Sequence, residues 1–235
     1  MNQMRRRQFF RTIGTGTAVA VGVLGSLLIS SWGGQASENE GNDDESKIRQ
    51  GFEIAPVPLN LAGKDRALVG LGSYIVNAQA DCNGCHFAGP PIPEFAPGAD
   101  PYQGQNPAKV NPDGYLGGGL PLPVFLPNGQ PVGVVFSRNL TPDKTGRPEG
   151  GHTFPEFLQI IRTGVDMDHL HPTCSPTITT NCLPPPLDGS LLQVMPWPIY
   201  KNMTDRDLRA IYEYLSAIPC VAGPPAPNPR HNDCP

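Results

Sequence analysis

The five residues Cys82-Asn83-Gly84-Cys85-His86 have the types and spacing that covalent attachment of a redox cofactor requires. Two thiols three positions apart can form thioethers with the vinyl groups of haem, and the adjacent imidazole can reach the iron. We therefore predict one covalently bound haem c, attached through Cys82 and Cys85, with His86 as the proximal iron ligand.

Closely spaced cysteines also occur in three other settings: a thioredoxin-like redox pair, half of a zinc site, and a disulfide. A thioredoxin-like pair would follow a strand pattern, which is missing before Cys82. A zinc site would need a second cysteine pair of suitable spacing, which the sequence does not contain. The residues therefore favour haem attachment.

A sixth iron ligand would come from a methionine or a histidine, and the candidates by type are Met167, Met195, Met203, His152, His169 and His171. We predict Met195, because prolines stiffen the segment 191–198 and reduce the entropy lost on holding a thioether toward iron. Met203 is instead placed to pack at the start of the last helix. Met167 follows a helix end, the two histidines near Cys174 suit a surface loop, and the remaining histidine lies close to a helix start.

Four further cysteines are Cys174, Cys182, Cys220 and Cys234, and four cysteines can pair in three ways. Short loops close most readily, and an exported domain meets an oxidising compartment. We therefore expect Cys174 to pair with Cys182 and Cys220 to pair with Cys234.

Three helices are predicted to position these residues. The first begins at Asp65, has apolar residues at helical spacing and ends just before Asp81, so that it leads directly into Cys82. The second runs from Thr153 to Gly164, where Thr153 and Glu156 form a capping box. The third begins at Thr204, capped together with Asp207, and is expected to run to Ile218.

The chain is rich in turn-forming residues, with 29 prolines and 27 glycines. Residues 89–133 are predicted to form a long Pro/Gly-rich loop with little regular structure, except for a small β-hairpin around Pro127-Asn128-Gly129-Gln130. The predicted fold class is therefore mostly α, with this loop as an insertion.

The N-terminal residues have the anatomy of an export signal. Arg5, Arg6, Arg7 and Arg11 precede an apolar stretch from Ile13 to Ile29, and small residues around Ala36 suit a cleavage site. We assign residues 1–36 to an export signal, with an uncleaved membrane anchor as the alternative. Residues 37–58 are predicted to be a polar tether and residues 59–235 a single domain with one haem. The predicted location is the periplasm or another exported compartment.

The charge of the exported part narrows the class of partner. Removing four basic residues from 17 leaves 13 against 21 acidic residues, so the formal charge falls from −4 to about −8. An acidic protein is not expected to bind nucleic acid. This charge fits a redox protein partner with a basic docking face as well as it fits ordinary solubility.

An ordered set of motifs resembles the c-type cytochromes of class I type, and especially the haem modules of cytochrome subunits of membrane-bound alcohol, aldehyde and gluconate dehydrogenases. The set covers nearly the whole domain. Its members are Gly72-Ser-Tyr74-Ile-Val, Ala80 to His86, Gly117-Gly-Gly-Leu120, Ser137-Arg-Asn139-Leu-Thr-Pro142-Asp, Thr145-Gly146, Met195-Pro-Trp197, Met203 to Leu208 and Tyr212-Glu-Tyr214-Leu215.

The resemblance implies a cytochrome c-like helical domain in which the first helix packs against the last, with Tyr74 and Tyr214 at the crossing. It also implies His86 and Met195 as axial ligands. The sequence departs from those subunits by its single Cys-x-x-Cys-His, where they usually carry several, and by His152, where the family often has an aromatic residue. The segment 174–186 looks like an insertion.

These observations predict an electron carrier rather than an enzyme. We expect an exported cytochrome with one haem that passes single electrons between redox protein partners, such as a dehydrogenase, an oxidase or another carrier. The alternative is a gas-binding or sensing haem protein, in which the sixth position would be open. Association with a membrane would depend on the N-terminal segment being retained.

Overall fold

The computed structural model describes residues 35–223 and 231–235, with side chains described from residue 43. Its helices are α1 (Gln35–Ile54), α2 (Arg66–Tyr74), α3 (Cys82–His86), α4 (Pro148–Gly151), α5 (Phe154–Thr163), α6 (Trp197–Tyr200) and α7 (Asp205–Leu215). Its strands are β1 (Pro121–Phe125) and β2 (Pro131–Phe136). The structure is mixed, 35% helical and 10% strand, so the predicted mostly α class holds only for the central packing of helices.

α2 begins as the sequence predicts but ends at Tyr74, and a separate π-helical turn carries the chain on to the predicted end just before Asp81. The carboxylate of Asp65 accepts hydrogen bonds from the backbone N–H groups of Ala67 and Leu68, which caps the helix. The π-helical turn covers Ile75–Gln79. Asp81 then adopts a left-handed conformation, with φ of 45°, and the chain turns directly into α3.

α2 crosses α7 at Gly72, where the two backbones come into close contact. A Cβ atom at Gly72 would lie 1.9 Å from the carbonyl oxygen of Ala210, so only glycine fits this position without a shift. Tyr214 is fully buried beside the crossing, and its hydroxyl lies 2.8 Å from that of Tyr115. Tyr74 is only half-buried, and its backbone nitrogen lies on the side of α2 that faces α1.

α1 occupies part of the segment for which the sequence predicts a polar tether. The backbones of Gly51 and Gly70 touch closely, and the hydroxyl of Ser73 donates a buried hydrogen bond of 2.6 Å to the carbonyl of Gly51. Ile48 and Phe52 pack against the core. Much of the segment predicted as a polar tether is therefore helical and packs on α2, which the sequence did not indicate because its narrow apolar face lies among many charged residues.

The predicted hairpin is present. β1 and β2 pair in antiparallel register, with Leu122 opposite Val135. Val124 and Val135 are buried with Leu183 in a small cluster separate from the main core. In the rest of the Pro/Gly-rich loop, regular structure consists of short 3-10 turns at Pro101–Gln103 and Pro112–Gly114 and an isolated antiparallel bridge between Phe95 and Val110.

The other two predicted helix starts are confirmed. The Glu156 carboxylate accepts hydrogen bonds from both the backbone N–H and the hydroxyl of Thr153, and α5 ends at Gly164 with φ of 73°. At the start of α7, the Thr204 hydroxyl accepts the backbone N–H of Asp207. α7 ends at Leu215, three residues before the predicted end.

Both predicted disulfides are present, Cys174 with Cys182 and Cys220 with Cys234. The predicted export signal lies outside the described residues, apart from Gln35 and Ala36 at the start of α1. Within residues 35–223 and 231–235, none of the helices combines the length and apolar character needed to span a bilayer.

Candidate functional site

Most of the predicted site residues line one cavity. The space it offers is about 1300 Å³ when the open solvent at its mouth is included, and most of its surface is apolar. α3, β2, α5, the segment 191–196 and α7 all contribute to its wall. A cavity of this size and character suits a large, mostly apolar ligand.

Cys82 and Cys85 both line this cavity, and neither belongs to a disulfide. Cys82 is half-buried and Cys85 is exposed. Burial, followed by the nearby Asp81 carboxylate, raises the pKa of the Cys82 thiol to about 12 and shifts the pKa of Cys85 upward as well. Both thiols are therefore neutral at pH 7, unlike the low-pKa thiols of thioredoxin-type pairs.

His86 is buried at the end of α3, and its ring orientation is fixed by the backbone. Its Nδ1 lies 2.8 Å from the carbonyl oxygen of Arg138, so Nδ1–H donates to that oxygen and the lone pair of Nε2 is left for another partner. Burial lowers the pKa of His86, which favours the neutral ring. A neutral imidazole with Nδ1–H bonded to a carbonyl is the usual state of a metal-ligating histidine.

The run Gly117–Gly119 lets its own backbone come close to the backbones of His86 and Arg138. The backbone N–H of Gly118 donates to the carbonyl of His86 at 2.7 Å. Gly118 has φ of 67°, and a Cβ atom there would lie 2.4 Å from the backbone of Arg138. A larger residue at this position would push Arg138 away from the His86 ring.

Met195 lines the same cavity and is half-buried in a loop with defined contacts. The Trp197 ring packs on Gly164, where a Cβ atom would lie 2.2 Å from the ring. Trp197 Nε1–H also donates to the carbonyl of Leu192 at 3.2 Å. The loop is therefore fixed against the end of α5 by an aromatic anchor as well as by its prolines.

The cavity separates the six candidates for sixth ligand into two groups. Met195, Met203 and His171 line its wall. Met167, His152 and His169 are not among the described residues that form it. Met203 also packs against the core, as predicted for a residue at the start of the last helix.

A charged cluster that the sequence did not predict lies on one side of the cavity. The Arg138 guanidinium pairs with the carboxylates of Asp166 and Asp168, and His152 Nε2 lies 3.7 Å from Asp168. Glu149 is buried beside this cluster. Arg138 falls within the Ser-Arg-Asn motif quoted above, but nothing in the local sequence indicated which acids it would meet.

In the described part of the chain, no group of three or more His, Cys, Asp or Glu side chains is arranged to hold a metal ion by itself. The donors at the cavity are instead two thiols, an imidazole and a thioether, together with an apolar wall. This donor set is the one that a covalently attached iron macrocycle requires. The residues therefore fit haem.

Comparison with known proteins gives relatives of one kind. The chain is 29% identical over 161 residues to the cytochrome c subunit of a quinone alcohol dehydrogenase from Gluconacetobacter polyoxogenes, a match that covers 68% of this chain and 24% of the relative. It is 28% identical over 149 residues to the gluconate 2-dehydrogenase cytochrome c subunit from Pantoea cypripedii, covering 63% and 23%. It is 25% identical over 175 residues to the fructose dehydrogenase cytochrome subunit from Gluconobacter japonicus, covering 74% and 26%.

The matched segment spans about a quarter of the length of these curated relatives. No family model matches the chain. No solved structure matches it either. The similarity therefore connects this chain with cytochrome c subunits of dehydrogenases, while the fold rests on the structure described above.

Proposed function

We propose that the chain is a c-type cytochrome that carries single electrons through one covalently bound haem. Cys82 and Cys85 would form the thioethers, and His86 and Met195 would be the axial ligands. The observation that carries this proposal is that the two thiols, the His86 ring and the Met195 thioether line a single apolar cavity. Similarity to cytochrome c subunits supports it.

Haem, when bound, supplies reversible one-electron chemistry at its iron. The protein residues hold it and control its surroundings. The carbonyl of Arg138 keeps His86 in the tautomer whose Nε2 can bind a metal, and the Trp197 contacts hold the loop that carries Met195. Apolar side chains such as Phe157, Ile161 and Leu208 exclude water from the cavity.

The same arrangement supports electron transfer rather than conversion of a substrate. Cys85 is exposed at the cavity wall, so the edge of the site lies close to solvent, where a partner protein can approach. We propose redox protein partners, among which a dehydrogenase is the first to test, because the similar proteins are subunits of dehydrogenases. The two disulfides fit the exported, oxidising compartment that we propose for the chain.

The test of this proposal is whether haem stays attached to the denatured chain. We expect haem to remain with the protein through acid-acetone extraction, because thioether bonds survive unfolding. The double variant Cys82→Ala/Cys85→Ala should release it under the same conditions. The matched control is Cys174→Ser/Cys182→Ser, which removes two cysteines away from the cavity and should retain the haem. Complete extraction of haem from the unaltered protein would contradict the proposal.

A further inference from the structure

A buried carboxyl group lies in the wall of the proposed haem cavity and is not among the residues proposed to hold the haem. Glu149 is 7% exposed and lines the cavity that also contains His86 and Met195. Its Oε2 atom has no hydrogen-bond partner among the described residues. A buried, unpaired carboxyl oxygen is costly, so its presence beside a redox site calls for a functional explanation.

The backbone holds this side chain in place at a cost. Glu149 has φ of 53° and ψ of 54°, which is the left-handed region that favours glycine. The next residue, Gly150, has φ of 74°. The backbone of Glu149 is therefore strained, and backbone strain of this type often accompanies functional sites.

Glu149 also lines a second cavity, whose space is about 920 Å³ when the open solvent at its mouth is included. The wall of this second cavity includes the polar side chains of Asn139, Asp168, His171, Asn181 and His231. The carboxyl group therefore borders both the strongly apolar cavity and a second, less apolar one that opens to solvent. A proton can reach Glu149 through the second cavity without crossing the haem site.

Positive and negative groups around Glu149 partly cancel in their effect on its carboxyl group. Arg138 and His152 are positive or can become so, whereas Asp166 and Asp168 are acidic. Burial is the largest influence and raises the pKa of Glu149 to about 7; His152 and Arg138 lower it, and the two aspartates raise it. His171 lines both cavities. Burial lowers its pKa below the ordinary 6.5, so the neutral ring is favoured at pH 7.

We propose that Glu149 is a redox-linked proton site, which takes up one proton when the haem site gains an electron and releases it when the electron leaves. This inference rests on the proposed function, because it requires haem in the cavity. The electron comes from a reduced one-electron protein partner, and the proton comes from water through the second cavity. Reduction thus converts the carboxylate to a carboxylic acid, and the net charge of the site is unchanged.

Electron gain and proton uptake are coupled because charges interact strongly in the low dielectric of the cavity. The oxidised site carries one more positive charge than the reduced site, so a nearby carboxylate stabilises the oxidised state. Reciprocally, loss of that positive charge raises the proton affinity of the carboxylate. Proton uptake by Glu149 then offsets the energetic cost of adding an electron at neutral pH.

The test is a spectroelectrochemical titration of the full, haem-loaded chain between pH 5 and pH 9. We expect the midpoint potential to fall as the pH rises through neutrality, with a slope of up to about 59 mV per pH unit, which is a tenfold change per unit for one electron. Glu149→Gln should abolish the slope and hold the potential near its low-pH value. Glu213→Gln, a half-buried glutamate of α7 outside both cavities, should keep the slope.

Two outcomes would overturn the proposal: a pH-independent potential in the unaltered protein, or a slope that survives in Glu149→Gln. A protein that holds haem but shows either outcome refutes only the proton site. Failure to incorporate haem refutes the proposed function instead.

Infrared redox-difference spectra of the unaltered protein provide a measurement that does not depend on the folding of Glu149→Gln. A carboxylic acid C=O band should appear on reduction near pH 7 and shift in D₂O. Glu149→Asp keeps the carboxyl group, so it should keep a band but at a changed position. A missing band, or a band that Glu149→Asp leaves unchanged, would also refute the proton site.

Discussion

The His86 ring shows what spacing can predict for a single residue and what it cannot. The Cys-x-x-Cys-His motif was enough to single out the two thiols and the imidazole. The carbonyl of Arg138, which orients that imidazole at 2.8 Å, could not be predicted, because a backbone oxygen 52 residues away has no sequence signature. Gly118 belongs to one of the sequence motifs, but only the structure shows why glycine is needed there: the Arg138 backbone lies where a Cβ atom would be.

Met195→Ala should remove the sixth ligand and leave the haem attached, because Cys82 and Cys85 would hold it independently. The weak long-wavelength charge-transfer band of ferric His–Met haem should disappear, and the potential should fall, because a thioether favours ferrous iron. The iron should also become open to carbon monoxide. Visible spectra of the ferric protein and of the ferrous protein with carbon monoxide measure both effects.

Met203→Ala is the matched control, because Met203 lines the same cavity and packs in the core. This variant should keep the band and lose some stability. If the band survives Met195→Ala and vanishes in Met203→Ala, the ligand assignment is wrong. Binding of carbon monoxide to the unaltered ferrous protein would instead favour the gas-binding alternative.

Glu149→Gln should change stability in a pH-dependent way. Burial raises the pKa of Glu149 from its ordinary 4.5 to about 7, so the folded state holds a proton that the unfolded chain releases between these values. The stability associated with this group is present below pH 4.5 and is lost as the pH rises through about 7. Glutamine cannot ionise, so the variant should gain stability relative to the unaltered protein at pH 8 and little at pH 5.

Denaturant unfolding at both pH values measures this difference in the haem-loaded protein. The control Glu213→Gln should show no comparable gain at pH 8. An equal effect of Glu149→Gln at pH 5 and pH 8 would show that the carboxyl group does not titrate in this range. The sequence did not predict this group, because Glu149 lies among proline and glycine residues in a stretch without periodicity.

At the scale of elements, capping chemistry was the most reliable sequence signal. The helix starts at Thr153 and Thr204 were predicted from capping residues, whereas the start at Asp65 was predicted from apolar residues at helical spacing, and its capping role is seen only in the structure. α1 was missed because few of its residues are apolar, and Ile48 and Phe52 become informative only when α2 is there to pack against them. Helix–helix contact, unlike capping, depends on residues distant in sequence.

Gly72→Ala should destabilise the crossing of α2 and α7, because the new Cβ atom would lie 1.9 Å from the Ala210 carbonyl oxygen and one helix must move. Overpacking of this kind typically costs about 1–3 kcal/mol in the free energy of unfolding. Chemical denaturation followed by far-UV circular dichroism measures the loss. Gly133→Ala is the control, because no atom lies within 4 Å of a Cβ at that glycine. Equal stability of the two variants would contradict the predicted crossing.

Long irregular segments of the described chain are held by cross-links between residues that are separated in sequence. The Cys220–Cys234 disulfide ties the described C-terminal residues 231–235 back toward the end of α7. The buried side chain of Asn232 donates hydrogen bonds to the carbonyls of Thr141 and Pro142, both at 3.2 Å. The disulfide pairing followed from short loop closure, whereas the contacts of Asn232 could not be predicted from composition.

Replacing Cys220 and Cys234 together by serine should lower the free energy of unfolding by about 3 kcal/mol, the loop-entropy value for a loop of about 15 residues. Thermal unfolding of the haem-loaded protein measures the loss. Peptide mapping without reduction should first find Cys220 joined to Cys234 and Cys174 joined to Cys182. Unchanged stability of the double serine variant would show that the C-terminal residues are held by other contacts.

The crossing of α2 and α7 also has a consequence for the order in which the protein matures. α2, which leads directly into the cysteines proposed to bind haem, packs against a helix that begins more than 120 residues later in the chain, at Asp205. Contacts of such long range form late, because a large loop must close first. During synthesis, Cys82 and Cys85 therefore emerge well before their final surroundings can assemble. This topology leaves an interval in which both thiols are accessible for attachment, and it places completion of the cavity after α7 has been made.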